Sequence, residues 1–263
     1  MIRVAICGAG GRMGQALLQS AVGNSALKVA AALDVAGSPA VGHEVAPGVA
    51  ISTDIDAAVR ACDVLIDFTR PAGTLAHLAA CARQGVAAVV GTTGLDDAQK
   101  KSLHDFGKQI PIVFAANMSV GVNVLLALVE DAARALGPDF DIEIVEMHHK
   151  HKVDAPSGTA LRLGEAAAAG IGRALSDVAA PARHGVTGER KAGTIGFASL
   201  RGGDVVGEHT VVFASEGERI EIVHRATSRQ LFVNGALRAA EFVAGKRSRG
   251  ETGVFDMPDV LGL

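Results

Sequence analysis

Between Arg3 and Phe114 short apolar runs alternate with helical stretches, and this alternation limits the fold more than any other feature of the chain. The runs are Arg3–Cys7, Lys28–Leu33, Asp63–Thr69, Val86–Val90 and Ile110–Phe114, with helices expected over Gln15–Val22, Ala57–Cys62, Gly73–Gln84 and Asp97–Phe106. Strands that are apolar without alternation are covered on both faces. Strand, helix, strand in repetition leaves right-handed crossovers onto a Rossmann-type doubly wound parallel sheet. Ligands on such sheets bind beyond the carboxyl ends of the strands. Phe68, Thr69, Gly91, Thr92 and Thr93 all fall at such ends.

The first unit carries a glycine loop, Gly8-Ala-Gly-Gly-Arg-Met-Gly14, between a strand and a helix. Glycines there let backbone approach a pyrophosphate, and the helix N-terminus faces the negative charge. Its spacing is G-x-G-x-x-x-G, looser than the strict dinucleotide fingerprint. The second strand ends in Asp34, placed to accept ribose hydroxyls. Val35 follows, where an arginine would meet a 2′-phosphate, so the residues favour NADH over NADPH; Arg12 in the loop is the competing phosphate contact.

A long helix beginning near Ser119 marks a change of domain. Asp141 to His148 alternates as a strand with one covered face, a helix is expected over Thr159–Ala169, and three β-like segments follow at Gly193–Leu200, Val205–Ala214 and Arg219–Ala226. The Gly-containing breaks between those segments, Arg201–Asp204 and Ser215–Glu218, predict antiparallel hairpins. The second domain is thus α+β with a mixed or antiparallel open sheet. The expected organisation is a dinucleotide-binding domain over 1–119, a substrate-binding and oligomerisation domain over 120–228, and a segment over 229–263 that returns to the first domain, with a helix over Ser228–Ala244.

Neither Trp nor Tyr occurs and the net charge is -3, which argues against a nucleic-acid surface, since such surfaces need aromatic stacking and positive charge. Three cysteines without C-x-x-C spacing suggest reduced thiols, and no apolar run approaches a membrane span, so a cytoplasmic protein is expected.

Residues Glu146 to Ala160 hold the densest chemistry: His148, His149 and His151 with Lys150 and Lys152, followed by Pro-Ser-Gly-Thr opening a helix. Three readings compete. A metal site would use the histidines, against the repulsion of neighbouring lysines. A solvated strand end would need no ligand at all. A proton donor with an anion clamp would use histidine, which titrates near neutrality, lysine as a fixed charge, and the backbone N–H and hydroxyl donors of Ser157, Gly158 and Thr159. Along an extended strand His148, Lys150 and Lys152 share one face and His149 and His151 the other, so a common ligand requires the strand to end within the cluster.

Glu146–Thr159 together with Gly8–Gly14, Asp67–Thr69, Gly91–Gly94 and Ala115–Asn123 closely resembles the dihydrodipicolinate reductases of bacteria, over essentially the whole chain. The resemblance implies NAD(P)H-dependent reduction of 4-hydroxy-tetrahydrodipicolinate, the dicarboxylate made from aspartate semialdehyde and pyruvate, in diaminopimelate and lysine synthesis, and a homotetramer. It implies that His148 is the acid/base residue and Lys152 its partner proton donor, and that His149, Lys152, Ser157, Gly158 and Thr159 hold a substrate carboxylate. Cofactor contacts are implied at Gly8, Ala9, Gly10, Gly11, Arg12, Met13, Asp34, Phe68, Gly91, Thr92, Thr93, Ala115, Ala116, Asn117, Met118 and Arg229. Two other readings compete with it: a dinucleotide sensor without catalysis, and a semialdehyde dehydrogenase, which requires a nucleophilic cysteine.

Overall fold

The computed structural model describes residues 1–263. The chain forms two compact units, Met1–Val120 with Gln230–Leu263, and Gly121–Arg229.

In chain order the first unit contains β1 (Ile2–Cys7), α1 (Arg12–Val22), β2 (Leu27–Leu33), β3 (Glu44–Ala46), β4 (Val49–Ser52), α2 (Ile55–Ala61), β5 (Val64–Asp67), α3 (Pro71–Gln84), β6 (Ala87–Val90), α4 (Asp97–Gly107) and β7 (Pro111–Phe114). The second holds α5 (Val120–Leu136), β8 (Asp141–His148), α6 (Gly158–Gly170), α7 (Leu175–Val178), β9 (Ala179–Ala180), β10 (Ile195–Arg201), β11 (Gly207–Ser215) and β12 (Glu218–Ala226). The tail adds α8 (Gln230–Ser248), β13 (Gly253–Phe255) and α9 (Met257–Leu261) to the first unit.

The large sheet runs β13-β7-β6-β5-β1-β2-β4-β3. All its pairings are parallel except β3 with β4. α1 and α8 cover one face, around Leu17, Leu18, Val233 and Leu237, and the opposite face packs Val59, Leu78 and Leu103 from α2, α3 and α4. Each fully buried leucine contributes roughly 1.5–3 kcal/mol, and local signals fix the ends. Asp54 caps α2, Asp96 and Gln99 form a capping box on α4, and Gly85 ends α3 at a φ of 63°.

The expected parallel sheet is present, but Leu27–Leu33 leads into a β3–β4 ribbon before its helix, and β13 adds an edge strand from the tail. Both strands of that ribbon and β13 are too short for a periodic signal.

The second sheet runs β12-β11-β8-β10-β9. β11 and β12 form the hairpin expected at Ser215–Glu218. The break at Arg201–Asp204 is not a hairpin. β10 lies parallel to β8 and β11 antiparallel on its other side, so β8 separates them. The helix α6 makes β8 to β10 a crossover, and the segment after Arg201 passes over the end of β8, where Gly202 N donates to His148 O and Lys150 N to Gly203 O.

Candidate active site

In the second unit the inner face of the sheet changes character along its strands. On β8 Ile142 and Ile144 are buried in the core and are followed on the same face by Glu146 and His148; on β11 Phe213 and Val211 give way to His209 and Gly207. On β10 Ile195 and Phe197 give way to Ser199 and Arg201. The register sets Ser199 and His209 on either side of Glu146, and Arg201 beside His148. A polar cluster thus sits at the end of a hydrophobic sheet face.

Glu146 is its centre, 1% exposed. Its Oε2 accepts from His148 Nδ1 at 2.6 Å. Arg201 clamps both of its oxygens at 2.8 Å, and Ser157 N donates to Oε1 at 3.2 Å. Burial alone would raise this carboxyl, but hydrogen bonds from Arg201, Ser199 and His148 outweigh it and pull it down to about 2. Glu146 is therefore a carboxylate, and His148 carries a proton on Nδ1.

His209 stands edge-on to His148, ring centroids 5.1 Å apart. Its Nε2 lies 3.1 Å from Ser157 Oγ. Burial, then the neighbouring His148, push His209 down to about 4, so it is neutral at physiological pH. A Cβ at Gly207 would stand 2.9 Å from His148 Nε2, closer than side chains pack.

β8 ends at His148, so the strand breaks inside the cluster. His149 Nδ1 is buried with no hydrogen-bond partner, and its ring lies 6.3 Å from that of the exposed His151. Lys152 Nζ donates to both Asp154 oxygens. After a cis Ala155–Pro156 bond, Ser157 caps α6, accepting from Ala160 N. Gly158 and Thr159 open that helix, and a Cβ on Gly158 would meet nothing within 4 Å, so there is open space beside the start of the helix. The first turn of α6 offers backbone donors and the positive end of its dipole to an anion.

All the residues expected at a dinucleotide except Arg229 belong to the first unit. Gly8 takes a φ of 69°, and a Cβ on Gly14 would stand 2.1 Å from Gly8 O, so α1 starts hard against the loop. Gly11 is the N-cap of α1 and makes no side-chain cap, which leaves the helix's first donors to an anion. Asp34 accepts from Gly10 N at 2.7 Å, and a Cβ on Gly10 would fill the space within 2.5 Å of that carboxylate. These features fit a dinucleotide pyrophosphate and ribose.

Arg12 and Thr93 are exposed, and Met13 is half-buried. The Phe68 ring lies over Gly91, where a Cβ would meet it at 2.0 Å. Thr92 is buried, bonded to Thr74 and Asp67. Ala115, Ala116 and Asn117 follow β7, with Asn117 Oδ1 accepting from Ser119 N. The side chains of Ala9 and Met118 belong to the core, and a Cβ on Gly235 would collide with Met118 O. Arg229 is exposed just before α8.

Sequence reasoning missed Glu146, Arg201 and His209. Glu146 and His209 share the inward alternation of their strands, a signal available in the sequence. The pairing of Arg201 with Glu146 was not, because it depends on β10 lying beside β8. The sequence also gave no sign that Cys7, Asp67 and His77 meet, with potential ligand atoms within 4.8 Å of one another; there Asp67 already binds His77 and Thr69. The three cysteines are buried, and burial raises the thiols, Cys62 to about 12, so none is a ready nucleophile.

Residues 2–118 match the family model described as dihydrodipicolinate reductase, N-terminus, and 121–261 that described as dihydrodipicolinate reductase, C-terminus. A 4-hydroxy-tetrahydrodipicolinate reductase of Laribacter hongkongensis is 54% identical, with 100% of this chain and 98% of the relative covered. One of Burkholderia multivorans is 53% identical over 100% of both. The fold is shared with dipicolinate-bound dihydrodipicolinate reductase from Paenisporosarcina sp. TG-14, at TM-score 0.77 and 24% identity over 97% of each chain. It is also shared with GenD2 in complex with NAD, at TM-score 0.59 and 13% identity over 99% of this chain and 90% of that one. With both halves matched and relatives above half identity along its whole length, the chain belongs to the dihydrodipicolinate reductase family.

Proposed function

We propose that this chain reduces 4-hydroxy-tetrahydrodipicolinate to tetrahydrodipicolinate with NAD(P)H, in the synthesis of diaminopimelate and lysine, and that His148 is its proton donor. The observation that carries the assignment is the buried Glu146–His148 contact, which Glu146 ties through Ser157 N to the N-terminus of α6. It puts a histidine whose Nδ1–H is fixed by a carboxylate next to the helix that would hold a substrate carboxylate.

A bound reduced nicotinamide supplies a hydride. The glycine loop Gly8–Met13 would hold its pyrophosphate and Asp34 a ribose, with Phe68, Gly91–Thr93, Ala115–Met118 and Arg229 completing the contacts, Ala9 and Met118 through backbone only. Val35, 73% exposed beside Asp34, offers nothing to a 2′-phosphate, so NADH is the preferred donor. Separate titrations with NADH and NADPH test this; a clear NADPH preference would assign the phosphate to Arg12.

The substrate is a small dicarboxylate. Gly158 and Thr159 bind one carboxylate through backbone N–H groups and Ser157 through its hydroxyl, since its own N–H is held by Glu146, with His149 and Lys152 as side-chain donors. Lys152 also offsets the negative charge that develops on reduction. As an imidazolium, with its Nδ1–H donated to Glu146, His148 gives its Nε2 proton to the resulting carbanion, a role worth about a hundred- to ten-thousand-fold; the ring is left as the neutral Nδ1–H tautomer until solvent returns a proton to Nε2. Nδ1–H stays on Glu146 throughout.

The residues divide as 1–119 for the dinucleotide, 120–228 for substrate and assembly, and 229–263 completing the first unit. The outer face of the second sheet, with Leu200 and Val223 exposed, serves assembly, and the active form is a homotetramer in the cytoplasm. No helix is long and apolar enough to cross a membrane.

The test follows NAD(P)H oxidation at 340 nm with substrate generated in situ from aspartate semialdehyde and pyruvate by the preceding synthase. Oxidation above the blank, abolished in His148→Asn, is expected. No oxidation would point to the sensor reading.

A further inference from the structure

The geometry points to Glu146 and Arg201 as a positioning pair, in which the Glu146 carboxylate fixes the tautomer of His148 and the seat of the carboxylate-binding turn together, while Arg201 keeps that carboxylate in place. This rests on the reading of His148 as proton donor.

The two oxygens of Glu146 divide the labour. Oε2 receives Nδ1–H of His148, and Oε1 receives the N–H of Ser157, the cap residue of α6. One side chain 1% exposed thus spans the donor and the anion cradle. With Nδ1 committed as a hydrogen-bond donor, the exchangeable proton must be the one on Nε2. After the imidazolium has given up its Nε2 proton, a ring without that partner would divide itself between two neutral tautomers, only one of which leaves Nε2 free to be reloaded.

Arg201 supplies two parallel charge-assisted bonds to the carboxylate and a third, at 2.6 Å, to Asp154 O in the loop that leads to α6. It therefore holds both Glu146 and the chain after the strand break. The charged and titratable groups facing His148 are Glu146 on its own strand, Arg201 opposite it on β10 and His209 on β11, while Lys152 in the loop, paired with Asp154, acts on His209. Only Glu146 accepts from Nδ1, so none of the others can replace it.

The experiment compares Glu146→Gln, Arg201→Met, the double variant Glu146→Gln/Arg201→Met and Arg201→Lys. Each is measured by steady-state kinetics, thermal unfolding and ¹⁵N NMR of histidine-labelled protein. Single neutral replacements strand the partner's charge and destabilise, whereas removing both charges is tolerated far better. A purely structural pair predicts that the double variant recovers both stability and turnover. The positioning role predicts recovered stability with kcat still down about a hundred-fold, KM changed only a few-fold, and the Nδ1–H signature of His148 lost.

Arg201→Lys retains a cation and serves if the double variant does not fold. It should keep the Nδ1–H signature and lose kcat by less than about ten-fold, since the carboxylate remains ionised. Turnover of the stable double variant within three-fold of wild type, or an Arg201→Lys protein that folds but has lost the signature, overturns the inference. His148→Asn separates the two levels. If it turns over normally, the proton-donor reading fails; if it is inactive while the Glu146 variants are not, only the positioning role fails.

Discussion

Lys152 Nζ donates to both carboxylate oxygens of Asp154, at 2.7 and 2.8 Å. The cation proposed for the substrate therefore already has an internal partner. Asp154 is half exposed, 53% at its side chain, and an ion pair of that kind contributes at most about 1 kcal/mol. A substrate carboxylate seated at the α6 N-terminus competes with it easily. Asp154→Asn should thus change kcat/KM by no more than about five-fold, whereas Lys152→Ala should lower kcat about a hundred-fold or more with NADH affinity unchanged. Steady-state kinetics and a fluorescence titration with NADH check both, and near wild-type turnover in Lys152→Ala would remove the lysine from the chemistry.

Acid should weaken the fold in two separate windows. His209 titrates near 6.5 when unfolded and about 4 when folded. Its contribution is therefore complete above pH 6.5 and is lost as pH falls towards 4, on the order of 3 kcal/mol in all. His224, also lowered by burial, loses stability in the same direction. Glu146, held at about 2, keeps its contribution down to about pH 4.5 and loses it below. Urea unfolding at pH 7 and pH 5 should show a smaller loss for His209→Gln than for wild type. An equal loss in the two proteins would mean that His209 is not the responsible group.

Gly207 leaves the space that the His148 ring occupies. A methyl group there would come within 2.9 Å of Nε2, the atom that is to deliver the proton. Gly207→Ala should fold, because the flexible end of one ring can move. It should lower kcat about ten-fold or more while KM moves little, since a displacement of about 1 Å at a catalytic group costs this much or more. The kcat against KM split is the measurement, and a variant with unchanged kcat would show that the ring has room to spare.

On the dinucleotide side, Gly10→Ala places a methyl 2.5 Å from Asp34 Oδ2 and 2.7 Å from the Ala40 side chain. The expected result is a loss of NADH affinity of ten-fold or more with little change in the melting temperature of the second unit. Fluorescence titration reads the first and calorimetry the second.

The parallel sheet was legible because its strands are apolar throughout and its helices end on capping residues such as Asp54, Asp96 and Gly85. The glycine loop and Asp34 were legible for the same local reason. The hairpin predicted after Arg201 was misplaced because a glycine-rich break reports only that the chain turns. Which strand it returns beside is decided by α6, which carries β10 alongside β8. The same non-local pairing kept Arg201 out of sight, since nothing within ten residues of it in the sequence names Glu146 as its partner. His209 was hidden differently: its pattern of burial was readable, but its edge contact with His148 depends on strand register.

That register has a consequence for how the protein tolerates change. Ile142, Ile144, Glu146 and His148 hang from one strand at every second residue, so a slip of β8 by one position would expose the two isoleucines in the same movement that turned away the glutamate and the histidine. The hydrophobic core acts as a vernier for the catalytic end: any misalignment of the proton donor is penalised at once by lost burial several residues away. Drift in the loops around Lys150 or Gly203 can then alter how a ligand enters without disturbing where His148 points.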